Sequence, residues 1–135
     1  MFPPAWKSSQ QTATSSSSAE SETVSASTAI RHVALPLQSL LKELLGSLVP
    51  IRVYIDNTQA EQAIRKGYSK RLRCLSRTHR CSIGVLHELF NDPEVAMELE
   101  HAASAVHKGD FFTKPLQPTP FVEARARIGM RSRSI

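Results

Sequence analysis

The chain has 135 residues, a length typical of one domain, and its 17 Lys and Arg against 12 Asp and Glu give a formal net charge of +5. This excess favours polyanionic partners, with nucleic acid the first candidate and an anionic membrane surface the second. No apolar run reaches the roughly 18–20 residues of a membrane span, and the N-terminus lacks the apolar centre of a secretory signal. We therefore expect an intracellular protein, cytoplasmic or nuclear, that is neither secreted nor inserted in a membrane.

The first predicted element is a long helix. Residues 8–28 are rich in Ser, Thr, Ala and Gln, a composition that alone would indicate a disordered tail. However, Ser17 to Glu20 fits a capping box, and apolar residues then recur at helical spacing as far as Gly46. The pattern predicts a helix that begins near Ser18, with Pro36 kinking or splitting it because proline removes a backbone donor.

A short strand and a second helix follow. Ile51, Val53 and Ile55 alternate with polar residues, which predicts a strand with one buried face and Asp56 at its carboxyl end. Residues 58–61 fit another capping box, opening a helix that Gly67 ends. An acid between a strand and a helix lies where open α/β sheets place their ligand sites.

The segment from Ser69 to Phe90 has the period of a third helix, with apolar residues on one side and a basic row on the other. No acidic residue lies between Glu61 and Glu88, so this row favours a phosphate-contacting face, although an ordinary soluble surface is the alternative. His79 falls on the apolar side and is predicted to be a packed side chain. The basic row consists of Lys70, Arg73, Arg77 and Arg80.

The two cysteines, Cys74 and Cys81, are seven residues apart on this predicted helix. At about 1.5 Å per residue they would lie roughly 10 Å apart, too far for a disulfide, which needs Cα atoms within about 7 Å. Because closely spaced Cys or His partners are missing, ordinary half-buried thiols are favoured over a zinc site.

The last elements surround an aspartate. Residues 95–101 alternate as a second strand, and residues 121–128 suggest a short terminal helix. Between them, Asp110 precedes a short apolar turn.

Taken in order, these segments resemble the ribonuclease H domain at the end of copia-type retrotransposon polyproteins. The resemblance covers residues 5–130, and its motifs occur in the family's order. They are Trp6-Lys7-Ser8, the Ser-Ser-x-Glu-x-Glu run ending at Glu22, Asp56-Asn57, Ser76-Arg77-Thr78 and the Asp110-Phe-Phe-Thr-Lys-Pro-Leu segment.

The resemblance implies an α/β fold, a five-stranded mixed sheet flanked by helices, and hydrolysis of the RNA strand of RNA–DNA hybrids. Glu22 resembles the family's helix carboxylate, Asp56 the acid at the end of the fourth strand, and Asp110 the last acid. Glu20 competes for the helix role, but the family's catalytic glutamate is the second of its Glu-x-Glu pair. His101 resembles the histidine that helps product leave in related enzymes.

The resemblance also implies a cofactor. Two Mg²⁺ or Mn²⁺ ions about 4 Å apart can activate water and stabilise a leaving oxygen, and carboxylates are suitable ligands. Glu22, Asp56 and Asp110 would be the metal ligands, with Asp56 shared. The alternative is structural, with Glu22 as a helix-terminal charge and Asp56 as a cap beside Asn57. Asn57 is included with the basic row as a nucleic-acid contact.

By this resemblance the chain lacks the family's first two strands and the fourth carboxylate. We expect a low-complexity segment with a remnant strand over 1–17, a partial ribonuclease H-like domain over 18–130 containing strands three to five, and a basic tail over 131–135. The strands around Val53 and Leu99 should then remain adjacent as a parallel pair.

Three interpretations follow. The chain is a retrotransposon ribonuclease H segment, inefficient alone and completed by the remainder of a reverse transcriptase polyprotein. Alternatively, it is a non-catalytic fragment that binds RNA–DNA hybrids or other nucleic acid through its basic row. A fragment without function is the third.

Overall fold

The computed structural model describes residues 5, 11, 14–103 and 118–129. The described part is a mixed helix and strand structure with a two-stranded parallel sheet. Residues 11–102 form one compact unit, and helix α6, Pro118–Arg127, belongs to another. Among the described residues, no helix combines the length and apolar character needed to cross a bilayer.

The long N-terminal helix begins at Ser18, as predicted. Helix α1 spans Ser18–Ala29, and the hydroxyl of its N-cap, Ser17, accepts a hydrogen bond from the Glu20 N–H at 3.2 Å. A π-helical turn over Ile30–Ala34 then leads into helix α2, Leu35–Leu45. The wider π turn precedes Pro36, where an ordinary helix would clash with the proline ring. The predicted interruption at Pro36 is therefore confirmed.

The sheet pairs strand β1, Ile51–Ile55, with strand β2, Met97–His101, in parallel. Val53 lies opposite Leu99, which confirms the predicted parallel pair. The Ile51 N–H donates to the Ala96 carbonyl at 3.0 Å, so alternate peptide groups of β1, including those of Arg52 and Tyr54, face away from β2.

Helix α3, Thr58–Lys66, contacts both strands, and α1 and helix α5, Ile83–Asn91, also pack against the sheet. One face of the sheet enters this core, whereas the other carries the exposed pair Arg52 and Glu98, 3.4 Å apart. The largest fully buried side chains are Ile30, Ile55, Ile64, Leu75, Leu86 and Thr23.

The single helix predicted from Ser69 to Phe90 is wrong. Helix α4 covers only Leu75–Thr78, and α5 begins at Ile83 with Ser82 as its N-cap. Arg80 lies between them with φ of 51°, a left-handed conformation that no helix can continue through. Cys74 is exposed and Cys81 buried, both as free thiols, but the two do not share a helix, so the distance argued from helical rise does not apply.

The second predicted capping box is also wrong, although its helix and its end at Gly67 are confirmed. The N-cap is Asn57, one residue earlier, whose side-chain oxygen accepts from the N–H groups of Gln59 and Ala60 at 3.0 Å each. Asparagine caps as well as threonine or better, because its amide oxygen reaches two donors of the first turn. Because Asn57 caps the helix, the Glu61 side chain contacts other residues instead.

Candidate functional site

The carboxyl end of β1 is tied directly to the start of α1. Asp56 and Asn57 follow the last residue of the strand, and the Asn57 side-chain amide donates to the Ser18 hydroxyl at 3.3 Å. Asn57 thus caps α3 with its oxygen and contacts the first residue of α1 with its nitrogen. One side chain fixes three elements at the same end of the sheet.

Glu22 is on the helix that this hydrogen bond ties to the end of β1. Glu22 lies four residues after Ser18 and therefore on the same side of α1. It falls just beyond the first turn, where Glu20 is the acid, rather than within it as predicted. Glu22 and Asp56 are both half-buried. Asp56 directly follows the carboxyl end of β1, and Glu22 lies on the helix whose first residue Asn57 contacts.

Glu20 is instead occupied in a buried network on another side of α1. One carboxylate oxygen accepts from the Ser16 N–H at 2.6 Å and the Ser16 hydroxyl at 2.5 Å, and the other lies 3.4 Å from both Thr78 Oγ1 and His79 Nε2. The Ser16 hydroxyl and N–H hold the pKa of Glu20 below its usual value, with help from His79 and Thr78, while burial opposes them. Glu20 thus docks α1 onto the 78–79 turn, which favours Glu22 for the site at the sheet end.

His79 is the packed side chain that the sequence predicted. Only 2% of its side chain is exposed, and its Nε2 lies 3.4 Å from both Glu20 Oε1 and Ser15 Oγ. The acid and the hydroxyl meet the same ring nitrogen, so the group is not a serine–histidine–acid relay, which uses both nitrogens. His79 therefore has a structural role.

His101 lies at the sheet end near Asp56. It is the last residue of β2 and pairs in register with Ile55. Its Nδ1 is 3.1 Å from Glu61 Oε2, and 43% of its side chain is exposed. Glu61 also accepts from Arg65 Nε at 2.9 Å, and Arg65 donates to the Leu99 carbonyl on the outer edge of β2 at 2.6 Å.

Glu61 is the site residue that sequence reasoning missed. The capping-box pattern assigned it to the helix start, whereas the structure uses it to hold His101. No local pattern signals a contact between residues 40 positions apart, although the i, i+4 spacing of Glu61 and Arg65 is typical of a surface pair.

The predicted third metal ligand, Asp110, lies outside the described residues. Within them, no group of three or more His, Cys, Asp or Glu side chains is placed to hold a metal ion. Glu22 and Asp56 supply hard oxygen donors of the kind that Mg²⁺ and Mn²⁺ prefer, so the donors present suit these ions.

The predicted basic row is exposed but not straight. Lys70 and Arg73 lie in the turns before α4, and Arg77 lies in α4. Arg80 comes after α4 and has a left-handed backbone conformation. All four side chains are exposed. They therefore present positive charge over a curved segment. Comparison with protein-family models, with curated proteins and with solved structures finds no match for this chain.

Proposed function

We propose that this chain is a segment of a copia-type retrotransposon ribonuclease H, which hydrolyses the RNA strand of RNA–DNA hybrids with Mg²⁺ or Mn²⁺. The order of its motifs along the sequence supports this assignment, as does the parallel pairing of the strands around Val53 and Leu99. The observation that carries the proposal is the hydrogen bond from Asn57 to Ser18, because it brings the helix with Glu22 to the strand end with Asp56.

In this proposal Glu22, Asp56 and Asp110 hold the metal ions, with Asp56 shared between them. The bound ions supply an activated water and stabilise the leaving oxygen. The hydrogen bonds of Asn57 support this arrangement for Glu22 and Asp56, because they tie the helix of the first to the strand end of the second. His101, at the end of β2 and 3.1 Å from Glu61, would be the histidine that helps product leave.

The open edge of β1 bears on how well the 135-residue chain acts alone. The peptide groups of Arg52 and Tyr54 face away from β2, and no other strand of the described residues pairs with that edge. In the family a further strand with a fourth carboxylate lies there. We infer that the remainder of a reverse transcriptase polyprotein supplies this strand and that the isolated chain is a poor nuclease.

A cleavage assay tests the proposal. Purified chain, with and without the polyprotein remainder, is incubated with a labelled RNA–DNA hybrid and Mg²⁺ or Mn²⁺. We expect little cleavage by the chain alone and clear cleavage by the mixture. Asp56→Asn or Glu22→Gln should lower the mixture's rate by more than about 100-fold, beyond the loss from indirect ligand changes. Glu88→Gln, which neutralises an exposed acid of α5, is the matched control.

The outcomes separate the parts of the proposal. Full activity of the mixture with Asp56→Asn, or no cleavage by the mixture, would refute the ribonuclease assignment. Strong cleavage by the isolated chain that Asp56→Asn abolishes would keep the assignment and refute its dependence on a further strand.

A second candidate is a non-catalytic fragment that binds RNA–DNA hybrids. The exposed basic row, in a stretch without acidic residues from 62 to 87, favours it. Arg73→Ala with Arg77→Ala should then weaken hybrid binding and lower the slope of log affinity against log salt by about 2. Glu22→Gln with Asp110→Asn should leave binding intact. Binding that ignores the arginines and the salt would exclude this function.

A further inference from the structure

An open cleft of ≈ 520 Å³ lies beside the N-terminal turn of α1, α3 and the turn that follows α3. Three cations line it, Lys66, Lys70 and Arg71, together with Tyr68. Among the described residues, its lining contains no Asp or Glu, and none of Glu22, Asp56 and His101. The other polar residues of the lining are Ser16, Ser17, Gln59, Gln62 and Ser69.

In the part of the chain that the structure describes, the cations of the cleft have no acidic partner. Lys66, Lys70 and Arg71 are exposed, and none of them takes part in an ion pair among the described residues. The nearest carboxylate is that of buried Glu20, which is not in the lining and bonds to the lining residue Ser16 and to the 78–79 turn. Because low-dielectric walls concentrate the field of such a cluster, the cleft attracts an anion.

The turn that carries the aromatic lining residue Tyr68 is anchored at both ends. Gly67 adopts φ of 73°, and a Cβ there would come within 2.9 Å of His87 Cγ, so the turn packs closely on α5. At the other end of the turn, Leu72 is buried at 5% exposure. Between these anchors Tyr68 remains 63% exposed, with cations two residues away on either side. A solvent-exposed ring beside cations is a stacking surface for a planar, anionic ligand.

We propose that this cleft binds a nucleotide unit. Lys66, Lys70 and Arg71 contact its phosphate, Tyr68 stacks on its base, and Gln59 and Gln62 offer amide groups to the sugar and the base edge. The volume falls within the roughly 300–1,000 Å³ typical of small-ligand sites. The unit is either a free mononucleotide or the phosphorylated end of a strand, since both present the same phosphate and base. This site needs neither the metal ions nor the acids of the proposed ribonuclease.

The test is a titration of the full chain in EDTA, which silences metal-dependent cleavage. The probes are inorganic phosphate, adenosine monophosphate and a short 5′-phosphorylated single strand, followed by NMR and by tyrosine fluorescence. Lys66→Ala with Arg71→Ala should weaken binding of the mononucleotide at least about tenfold, the loss expected for charge-assisted contacts. Lys42→Ala with Arg31→Ala, at two exposed residues of the π-helical turn and α2 outside the cleft lining, removes the same charge and should change it less than about twofold.

Tyr68→Leu separates base stacking from charge. It should weaken the mononucleotide about tenfold and leave inorganic phosphate unchanged, because stacking acts only on the base. A strand that binds much more tightly than the mononucleotide identifies the strand end as the ligand, and equal affinities identify the free nucleotide. Urea unfolding of each variant confirms that it is folded.

The proposal is overturned if no probe binds saturably, or if the two arginine-containing pairs reduce binding equally. It is also overturned if Tyr68→Leu affects the mononucleotide and inorganic phosphate alike. None of these results bears on cleavage by the metal site, so the two proposals fail independently.

Discussion

Replacing Glu20 with glutamine removes the charge from the buried network that docks α1 onto the 78–79 turn. Glu20 is 4% exposed, and its carboxylate accepts two short hydrogen bonds from Ser16, at 2.6 and 2.5 Å. Bonds to an ionised acceptor contribute about 1.5–3 kcal/mol each, roughly twice as much as neutral ones. Glutamine keeps a neutral acceptor but turns an amide toward Thr78 and His79. We expect the free energy of unfolding to fall by about 2–3 kcal/mol.

The pH dependence follows from the direction of the shift. Since the Ser16 bonds lower the pKa of Glu20 below the ordinary value of 4.5, the stabilisation is fully present above that pH. It is lost as pH falls through the lower pKa of the folded state. The difference between wild type and Glu20→Gln should therefore be complete at pH 7 and close progressively below about pH 4.5.

Urea unfolding followed by circular dichroism, at pH values from 7 down to 3, measures this difference. Glu88→Gln, an exposed acid on α5, should change stability by less than about 0.5 kcal/mol throughout and serves as the control. A Glu20→Gln effect below about 0.5 kcal/mol at pH 7, or one that stays constant down to pH 3, would refute the reasoning.

Two further substitutions test the packing around the sheet. Gln38 is 8% exposed, and its amide donates to backbone carbonyls of two separate segments at 2.7 and 2.6 Å. Gln38→Ala should therefore lower the free energy of unfolding, measured in urea, by about 2–3 kcal/mol. A loss under about 0.5 kcal/mol would contradict this. Gly67→Ala combines positive φ with a 2.9 Å approach to His87 and should lower the midpoint of thermal unfolding more than Gly46→Ala, which has φ of 70° but open space around it. An equal fall in the unfolding midpoint for the two variants would show that the His87 side chain moves aside at little cost.

Elements with a strong local signal were predictable. The helix start depends on Ser17 and Glu20 within one turn, and the interruption depends on Pro36 itself. The alternation around Val53 fixed both the strand and the position of Asp56 at its end. The parallel pairing with β2 could not be predicted from periodicity alone, and its prediction rested on the family resemblance.

The rest of the site was set by contacts between distant residues. Apolar spacing continues across Arg80 as if one helix ran through it, but Ser82 caps a new helix and His79 turns toward Glu20, which lies 59 positions earlier. Likewise, local spacing assigned the side chain of Glu61 to a capping box, whereas in the structure it contacts His101, which is distant in sequence. Local periodicity reports which side of a segment is apolar and carries no information on such pairings.

The register of the sheet also sets the order in which this chain can fold. Val53 pairs with Leu99, 46 positions later, and Gln38 bonds to the Val95 carbonyl across 57 positions. Helices α1 to α3 can nucleate early from local contacts, whereas closing these long loops is slow and must wait until β2 has been synthesised. Until then the edge of β1 that pairs with β2 has no partner, so the nascent chain exposes an unpaired strand edge that the finished fold covers.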